Sequence, residues 1–518
     1  MSANLKRISL IITFLIVLIL DIIVTIHVSE NLLDNDTSGE MVLSKCLYDE
    51  KSLICDDWNY ATEVRVANQM IFAPLFGIFS DWTVVRITGT FIIQAILLFS
   101  LIFLLKAGSL QTDSILFGST LILLPYCVAY GRITLYHCYY ALYISLMFLI
   151  IGCLFYGLDR SHRTVFILLM VLLCVLGCLN GIRIAFIAVL PLCVLGFRCL
   201  LQKKKRFFYL SILCGTAAIS GLALYKLIIS SLFHLMTETS LRMSFKGISE
   251  IYVVIFSILR QFGYRSGIER KSLLGIMSAA GIGVCFYAVF LSGKAFFTEK
   301  NEKKLTLKSM LFIQLILTAG SFLIFDLPFN TRYDYSRYLV PASVWIIPLF
   351  CMRFEENKIP YQKICFYAVL FIFAGNGLIN LCFFRNPDHF TQDYDGITFT
   401  STKSITRYDS AVRFIEENDY GMGYAFKDVN SLSEYMDGLP VVGIIYTDGK
   451  LGYFEWLSRK SFRNIQTENV FLIADYNDAR TFRGITSRED SELVYSEKNK
   501  LFIYRIKDPD RFRSYLSQ

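Results

Sequence analysis

Apolar runs long enough to cross a bilayer alternate along the chain with short basic connections, a pattern that predicts a polytopic α-helical membrane protein. The first run covers residues 7–29. Further spans are predicted at 84–105, 113–130, 134–157, 164–181, 182–200, 207–230, 272–292, 308–327, 338–353 and 363–384, about eleven in all. Lys6 and Arg7 precede the first run, and no small-residue cleavage pattern follows it. It therefore reads as a span rather than a signal peptide. From about Arg385 the pattern changes: Asp, Asn, Gly and Thr become common and no run is long enough to span. There a helix is predicted over 408–418 and strands over 421–427, 440–447, 469–474, 492–496 and 500–506, with Asp437-Gly438 and Asp448-Gly449 as turn signals. The expected architecture is an α-helical membrane domain over 1–384 and a small α/β domain over 385–518.

Two connections are too long to be simple turns. Residues 30–82 form a first outer loop, in which Thr37-x-x-Glu40 has the form of a capping box opening a helix through about Glu50. A second helical stretch, Asn59 to Phe79, mixes Glu63, Arg65 and Asn68 with Met70, Ile71, Phe72 and Leu75. Both stretches are expected to lie along the membrane surface. Residues 231–270 are the other long loop, with an interfacial helix predicted over 248–262.

Charge fixes the expected orientation. With the N-terminus cytoplasmic, the inner loops collect Lys106, Arg160, Arg163, Lys203 to Arg206, Lys294, Lys300, Lys303, Lys304, Lys308, Arg353, Lys358 and Lys363. Basic residues on one side are what topology requires. An odd number of spans puts the C-terminal domain outside, with the first loop. The register depends on a tight outer hairpin at Asn180-Gly181-Ile182-Arg183. The net charge of +8 is thus spent on topology and does not point to nucleic acid. Only 18% of residues are charged, against about 25% in soluble domains. Most of the 14 cysteines sit in apolar runs, as small core residues. Cys46 and Cys55 share the polar first loop, where they are either a disulfide or two unpaired thiols.

The candidate chemistry gathers at Asp34-Asn35-Asp36-Thr37-Ser38-Gly39-Glu40, three carboxylates just past the first span. A carboxylate there can take a proton from an attacking hydroxyl or amine. Asp34-x-Asp36 also has the spacing of a pair that could hold a divalent cation, Mg²⁺ or Mn²⁺, against a phosphate. The same residues equally read as a helix cap. Arg183, Arg332 and Arg337 lie at the ends of spans and suit a phosphate through the guanidinium fork. Arg337 could instead snorkel or pair with Asp334. Asp81-Trp82 with Arg86 reads as an interfacial anchor and ion pair. Zinc spacings, a P-loop and a nucleotide-binding fold are absent from the sequence.

Residues 1 to about 384 resemble the membrane glycosyltransferases of the GT-C superfamily, which includes protein O-mannosyltransferases and aminoarabinose lipid A transferases. The resemblance rests on the acidic motif after the first span, the amphipathic helices that follow it, the number of spans, and Arg337-Tyr338-Leu339-Val340-Pro341 opening a late span. Tyr420-Gly421-Met422-Gly423-Tyr424-Ala425-Phe426 and Glu455-Trp456-Leu457-Ser458 look like stretches of bacterial membrane proteins of this type. The resemblance implies a polyprenyl-phosphate sugar as donor, an extracytoplasmic glycan, lipid or protein as acceptor, and a plasma-membrane location. It implies Asp36 as catalytic base with Asp34 as the alternative, and Arg337 at the donor phosphate. An Asp-Thr-Ser-Gly-Glu motif stands where many relatives have adjacent Asp and Glu, which leaves the role of Glu40 open. The rival readings are a lipid-linked glycan flippase and a surface-glycan polymerase or ligase; matched halves, expected of many transporters, are not evident.

Overall fold

The computed structural model describes residues 3–60, 66–159, 163–232, 242–243, 251–265, 272–326, 335–356, 360–385, 404–447, 450–485, 490–497 and 500–516. In chain order the helical part runs α1 (Ala3–Asn31), α2 (Asn35–Glu50), β1 (Trp58–Asn59), α3 (Val66–Leu75), α4 (Trp82–Ala107) and α5 (Thr112–Ile122). It continues with α6 (Ala141–Leu158), α7 (Arg163–Cys178), α8 (Leu190–Leu201), α9 (Lys205–Leu224), α10 (Ile251–Arg260), α11 (Leu273–Thr298), α12 (Glu302–Ile324), α13 (Tyr335–Ser343), α14 (Ile346–Glu356) and α15 (Pro360–Arg385). Among the described residues, 8 helices are long and apolar enough to cross a membrane. Each predicted span has a helix within it, but three are short: α5, α7 and the Ala185–Leu201 segment.

Packing divides the chain into two units. The first is Met1–Ile26, Thr90–Ser231 and Glu238–Thr398; the second is His27–Gly89, Leu232–Thr237 and Phe399–Gln518. In the first unit α6 packs on α7, α9 on α7 and α8, and α11 on α12 and α15. Close approach is bought with small residues: a Cβ on Gly281 of α11 would lie 2.6 Å from the Phe262 carbonyl oxygen. The predicted span 113–130 is broken, because α5 stops at Ile122 and Pro125 cannot supply the next helical N–H. The chain then turns through a π-helical stretch, Gly131–Tyr136, and a left-handed Cys138, so the next span starts at Ala141 rather than 134. The hairpin at Asn180-Gly181 is present, with Gly181 at φ 97°, a conformation that favours glycine.

The second unit contains a six-stranded sheet. Its elements are α16 (Asp409–Glu417), β2 (Met422–Ala425), α17 (Val429–Tyr435), β3 (Val441–Thr447), β4 (Lys450–Tyr453), β5 (Ser458–Arg459), β6 (Val470–Asp475), α18 (Tyr476–Ile485), β7 (Ser491–Glu497), β8 (Leu501–Ile506) and α19 (Pro509–Leu516). The sheet order is β4-β3-β2-β6-β8-β7, with β2 parallel to β3 and β6 and the outer pairs antiparallel. Strand alternation builds a core on each face. Phe471 and Ile473 of β6 join Ala411, Ile415 and Leu432 on one side. Val470, Leu472 and Ala474 join Phe482, Phe512 and Leu516 on the other. Apolar residues on both faces are what a sheet covered by helices on both sides requires. The predicted helix and five strands are all found within two residues of their expected ends; β4, β5, α17, α18 and α19 are additional. Asp437 and Gly438 form the expected turn, at φ 49° and 89°, whereas Asp448-Gly449 lies outside the described residues.

The first loop belongs to this second unit. β1 pairs antiparallel with β5, matching Trp58 to Arg459 and Asn59 to Ser458. Asp57 anchors the junction, accepting from Arg459 Nε at 2.8 Å and from the Ser461 backbone N–H at 2.7 Å. Cys46 and Cys55, both fully buried, are joined in a disulfide that ties the end of α2 to the turn before β1.

Candidate active site

Helix α2 starts where its sequence allows a carboxylate to cap it. Asp34 is the cap: its backbone is extended and its side chain accepts the Asp36 N–H at 3.1 Å. This corrects the capping-box expectation. Thr37 lies inside the helix, bonding the Asp34 carbonyl at 3.0 Å, and Glu40 does not reach back to the cap. The helix ends at Glu50 as expected, closed by a left-handed Lys51 whose N–H returns to Leu47 and Tyr48.

Because α2 is already helical from Asn35, Asp36 and Glu40 stand one turn apart on one face. Their surroundings differ. Glu40 is only 3% exposed, and its Oε2 accepts from Asn68 Nδ2 of α3 at 2.6 Å. Asp36 is half-buried, and among the described residues its carboxylate takes part in no hydrogen bond or ion pair. Of the three carboxylates, Asp34 is engaged in capping and Glu40 in joining α2 to α3, while that of Asp36 is not so engaged among the described residues.

The adjacent face of α2 meets α17. The Asn430 backbone N–H donates to Asn35 Oδ1 at 2.8 Å, and Asn430 Nδ2 donates to the Leu457 and Asn35 carbonyls at 3.0 and 3.3 Å. A Cβ on Gly39 would lie 2.9 Å from Asn430 Nδ2, so glycine is what lets the helices touch. Beside them Arg86, on the first turns of α4, forms a two-pronged ion pair with Glu434 of α17 and reaches Ser38 Oγ at 3.4 Å. Arg86 was expected to pair near Asp81; its partner is Glu434. Asp81 instead caps α4 through the Val84 N–H at 3.0 Å. Trp82 is buried edge-on to Phe76 and beneath Gly438. The Asp437 carboxyl is pushed up by burial and by the nearby Asp81 charge. Sequence reasoning missed Asn430 and Glu434. Their only sequence signal is a spacing of four in Val429-Asn430-Ser431-Leu432-Ser433-Glu434-Tyr435, which would put both on one helical face.

In the first unit, Arg183 and Arg337 converge on a group of tyrosines. Arg183 stacks over Tyr140 and Tyr143, at 5.2 and 5.4 Å to the ring centroids. Arg337 lies 4.9 Å from the Tyr338 centroid and donates to its hydroxyl at 3.0 Å. Tyr338 is within electrostatic reach of both arginines and of Tyr140. The start of α13 is held by the fully buried Gln261, which donates to the Ser336 carbonyl at 2.9 Å and accepts from Ser343 Oγ at 3.2 Å. Two cations among tyrosine hydroxyls can bind a phosphate bidentately and exclude a cationic ligand. Arg332 and Asp334 lie outside the described residues.

A divalent cation fits the donors poorly. Asp34 is committed to its cap, and no third acidic, His or Cys ligand gathers with Asp34 and Asp36 among the described residues. Among the described residues, the one cluster with metal-ligand spacing, Cys46-Glu50-Cys55, has its two sulfurs joined to each other.

No protein-family model matches the sequence, and no curated protein does. Among solved structures, the chain is similar to ArnT from Cupriavidus metallidurans bound to undecaprenyl phosphate, with a TM-score of 0.55 and 9% identity. The likeness covers 97% of this chain and 98% of that one. The chain therefore has a GT-C-like fold and is a multi-pass membrane protein.

Proposed function

We propose that this chain is a membrane glycosyltransferase that moves a sugar from a polyprenyl-phosphate donor to an extracytoplasmic glycan, lipid or protein. What carries the reading is the likeness in fold to ArnT over almost the whole length, in a chain that among its described residues leaves one carboxylate of its first-loop motif unengaged. Arg337 and Arg183 are assigned to the donor phosphate, on the strength of their shared tyrosine cluster. Asp36 is assigned as the base. The acceptor oxygen attacks the anomeric carbon as its proton passes to Asp36, the bond from that carbon to the phosphate oxygen breaks, and the lipid phosphate leaves with inverted configuration at the sugar. No step is routed through a metal ion.

The test is turnover of polyprenyl-phosphate sugars by the purified protein, wild type beside Asp36→Asn. Release of lipid phosphate should fall by about 100-fold or more in the variant, as for loss of a general base. Survival of activity moves the base to Asp34 or Glu40. A wild type that turns over no donor but scrambles lipid-linked sugars in vesicles is a flippase, and the reading is wrong.

A further inference from the structure

We infer that Asn430 and Glu434 of α17 are positioning residues for the base, so that the C-terminal domain is a working part of the catalytic centre. The inference rests on the glycosyltransferase reading above and adds to it the element that aims Asp36.

Within α2, Asn35, Ser38 and Gly39, which meet Asn430 or the Arg86 held by Glu434, all lie in the first turn and a half. Asn35 and Asn430 cap each other: the Asn35 side chain accepts the Asn430 N–H, and the Asn430 side chain donates to the Asn35 carbonyl. Asn35 is the residue immediately before Asp36. Asn35 also supplies what α17 lacks, since Asp428 sits at the start of α17 in a left-handed conformation and makes no capping bond of its own. Gly39 abuts Asn430 and Leu457. Ser38 receives Arg86, which Glu434 holds in a buried fork. Residues 35, 38 and 39 thus meet α17 or its ion pair, while residue 40 is fixed by α3. Asp36 stands between these fixed points with its own carboxylate unengaged. Fixing the backbone on both sides of a base while leaving its carboxylate unbonded is how a general base is held for proton transfer without being neutralised.

Asn430 and Glu434 share no hydrogen bond or ion pair with Asp36, so their effect must pass through α2. Replacing Asn430 by Ala removes both donations of its side chain. Replacing Glu434 by Gln keeps the shape and removes the charge from Arg86. The test uses the full-length protein in detergent or nanodiscs and two measurements. One is kcat and KM for the lipid-phosphate sugar. The other is amide hydrogen exchange of residues 35–40, with the strands 422–425 and 470–475 as an internal reference for folding. For Asn430→Ala we expect kcat to fall at least tenfold, donor KM to stay within about twofold, and exchange at 35–40 to rise at least tenfold while the strands stay protected. Glu434→Gln should do the same more weakly, and Glu434→Asp should recover part of kcat. The pH profile should keep its shape, because the base is unchanged.

A variant whose strands also lose protection is unfolding; a purely structural role of that kind overturns the inference if kcat per folded molecule is then normal. Normal kcat with loosened α2 overturns it as well, as does unchanged exchange with unchanged kcat. A wild type that releases no lipid phosphate overturns the glycosyltransferase reading, and the exchange data still report whether α17 holds α2.

Discussion

The Arg86–Glu434 pair offers the sharpest energetic test, because both side chains are almost fully buried, at 4% and 3% exposure. Truncating Glu434 to Ala leaves a guanidinium enclosed with, among the described residues, only the long contact to Ser38, 3.4 Å, as compensation. An uncompensated buried charge of this kind costs about 3–5 kcal/mol. Removing both charges, as Arg86→Met with Glu434→Leu, takes away the desolvation cost along with the attraction. That double variant should lie within about 1 kcal/mol of wild type. In the cycle closed by the singles Arg86→Met and Glu434→Leu, each of which again leaves one buried charge unpaired, the coupling is then about 5 kcal/mol or more, well above the few tenths expected for independent sites. At roughly 2–4 °C per kcal/mol for a unit of this size, a loss of about 3–5 kcal/mol in Glu434→Ala should lower the Tm by about 6–20 °C. Tryptophan fluorescence reads this unit well, since Trp58 and Trp82 are buried in it. Singles that each cost less than about 1 kcal/mol, or a double variant that loses the sum of both, would refute the reasoning.

Other outcomes follow from the same geometry. Arg337→Lys keeps the charge but loses the fork, so donor KM should rise about tenfold; an unchanged KM removes Arg337 from the phosphate site. Asp437 is held protonated more readily in the fold than in the unfolded chain by burial and by Asp81. Its contribution is therefore fully present at acid pH and lost as pH rises through its raised value. Asp437→Asn, which keeps a residue that tolerates the left-handed backbone at this position, φ 49°, should accordingly raise the Tm more at neutral pH than in acid; an equal shift at both pH values refutes it. The Cys46–Cys55 disulfide spans a sequence separation of 9, for which loop-closure entropy gives roughly 2.6 kcal/mol. Cys46→Ser with Cys55→Ser should cost up to that amount, read as a lower Tm that no longer responds to reductant.

What the sequence made legible was whatever depends on local pattern. Apolar runs placed a helix within every predicted span, though not its ends, as at 113–130, and short apolar stretches between turn signals placed β2, β3, β6, β7 and β8. Helix α17 was not legible: Val429–Tyr435 is seven residues long and mostly polar, and only its docking makes it a helix. Helix α18 was hidden similarly, since its start is capped by Asp475, which accepts the Asn477 and Asp478 N–H groups at 2.9 and 3.0 Å from the end of a strand. Around the site, the acidic motif stood out, but not the division of labour within it. Asp34 and Asp36 are equally good caps by type, and the choice was made by which backbone was extended. Arg86 and Glu434 are 348 residues apart, a pairing no periodicity announces.

That separation has a consequence for how the site is assembled. Helix α2 has 16 residues, begins at Asn35 shortly after α1 ends at Asn31, and contains Thr37, Ser38 and Gly39 in its first turns, all weak helix formers. A helix of this length and composition is marginal on its own. Ten of its residues are buried, and they are covered by α3 on one side and by α17 on the other. The covering helix α17 follows the last predicted span, so the partner that completes α2 is synthesised after every span has been made. The acidic motif therefore cannot take its final geometry early. It depends on the return of the chain from beyond residue 400, sealed by the reciprocal caps of Asn35 and Asn430 and by the short β1–β5 pairing. A chain truncated after α15 would keep its apolar helices and lose the partner that holds Asp36 in register. On this reasoning the membrane part alone should insert and remain inactive, and the sheet domain is as necessary to the first loop as the first span that delivers it.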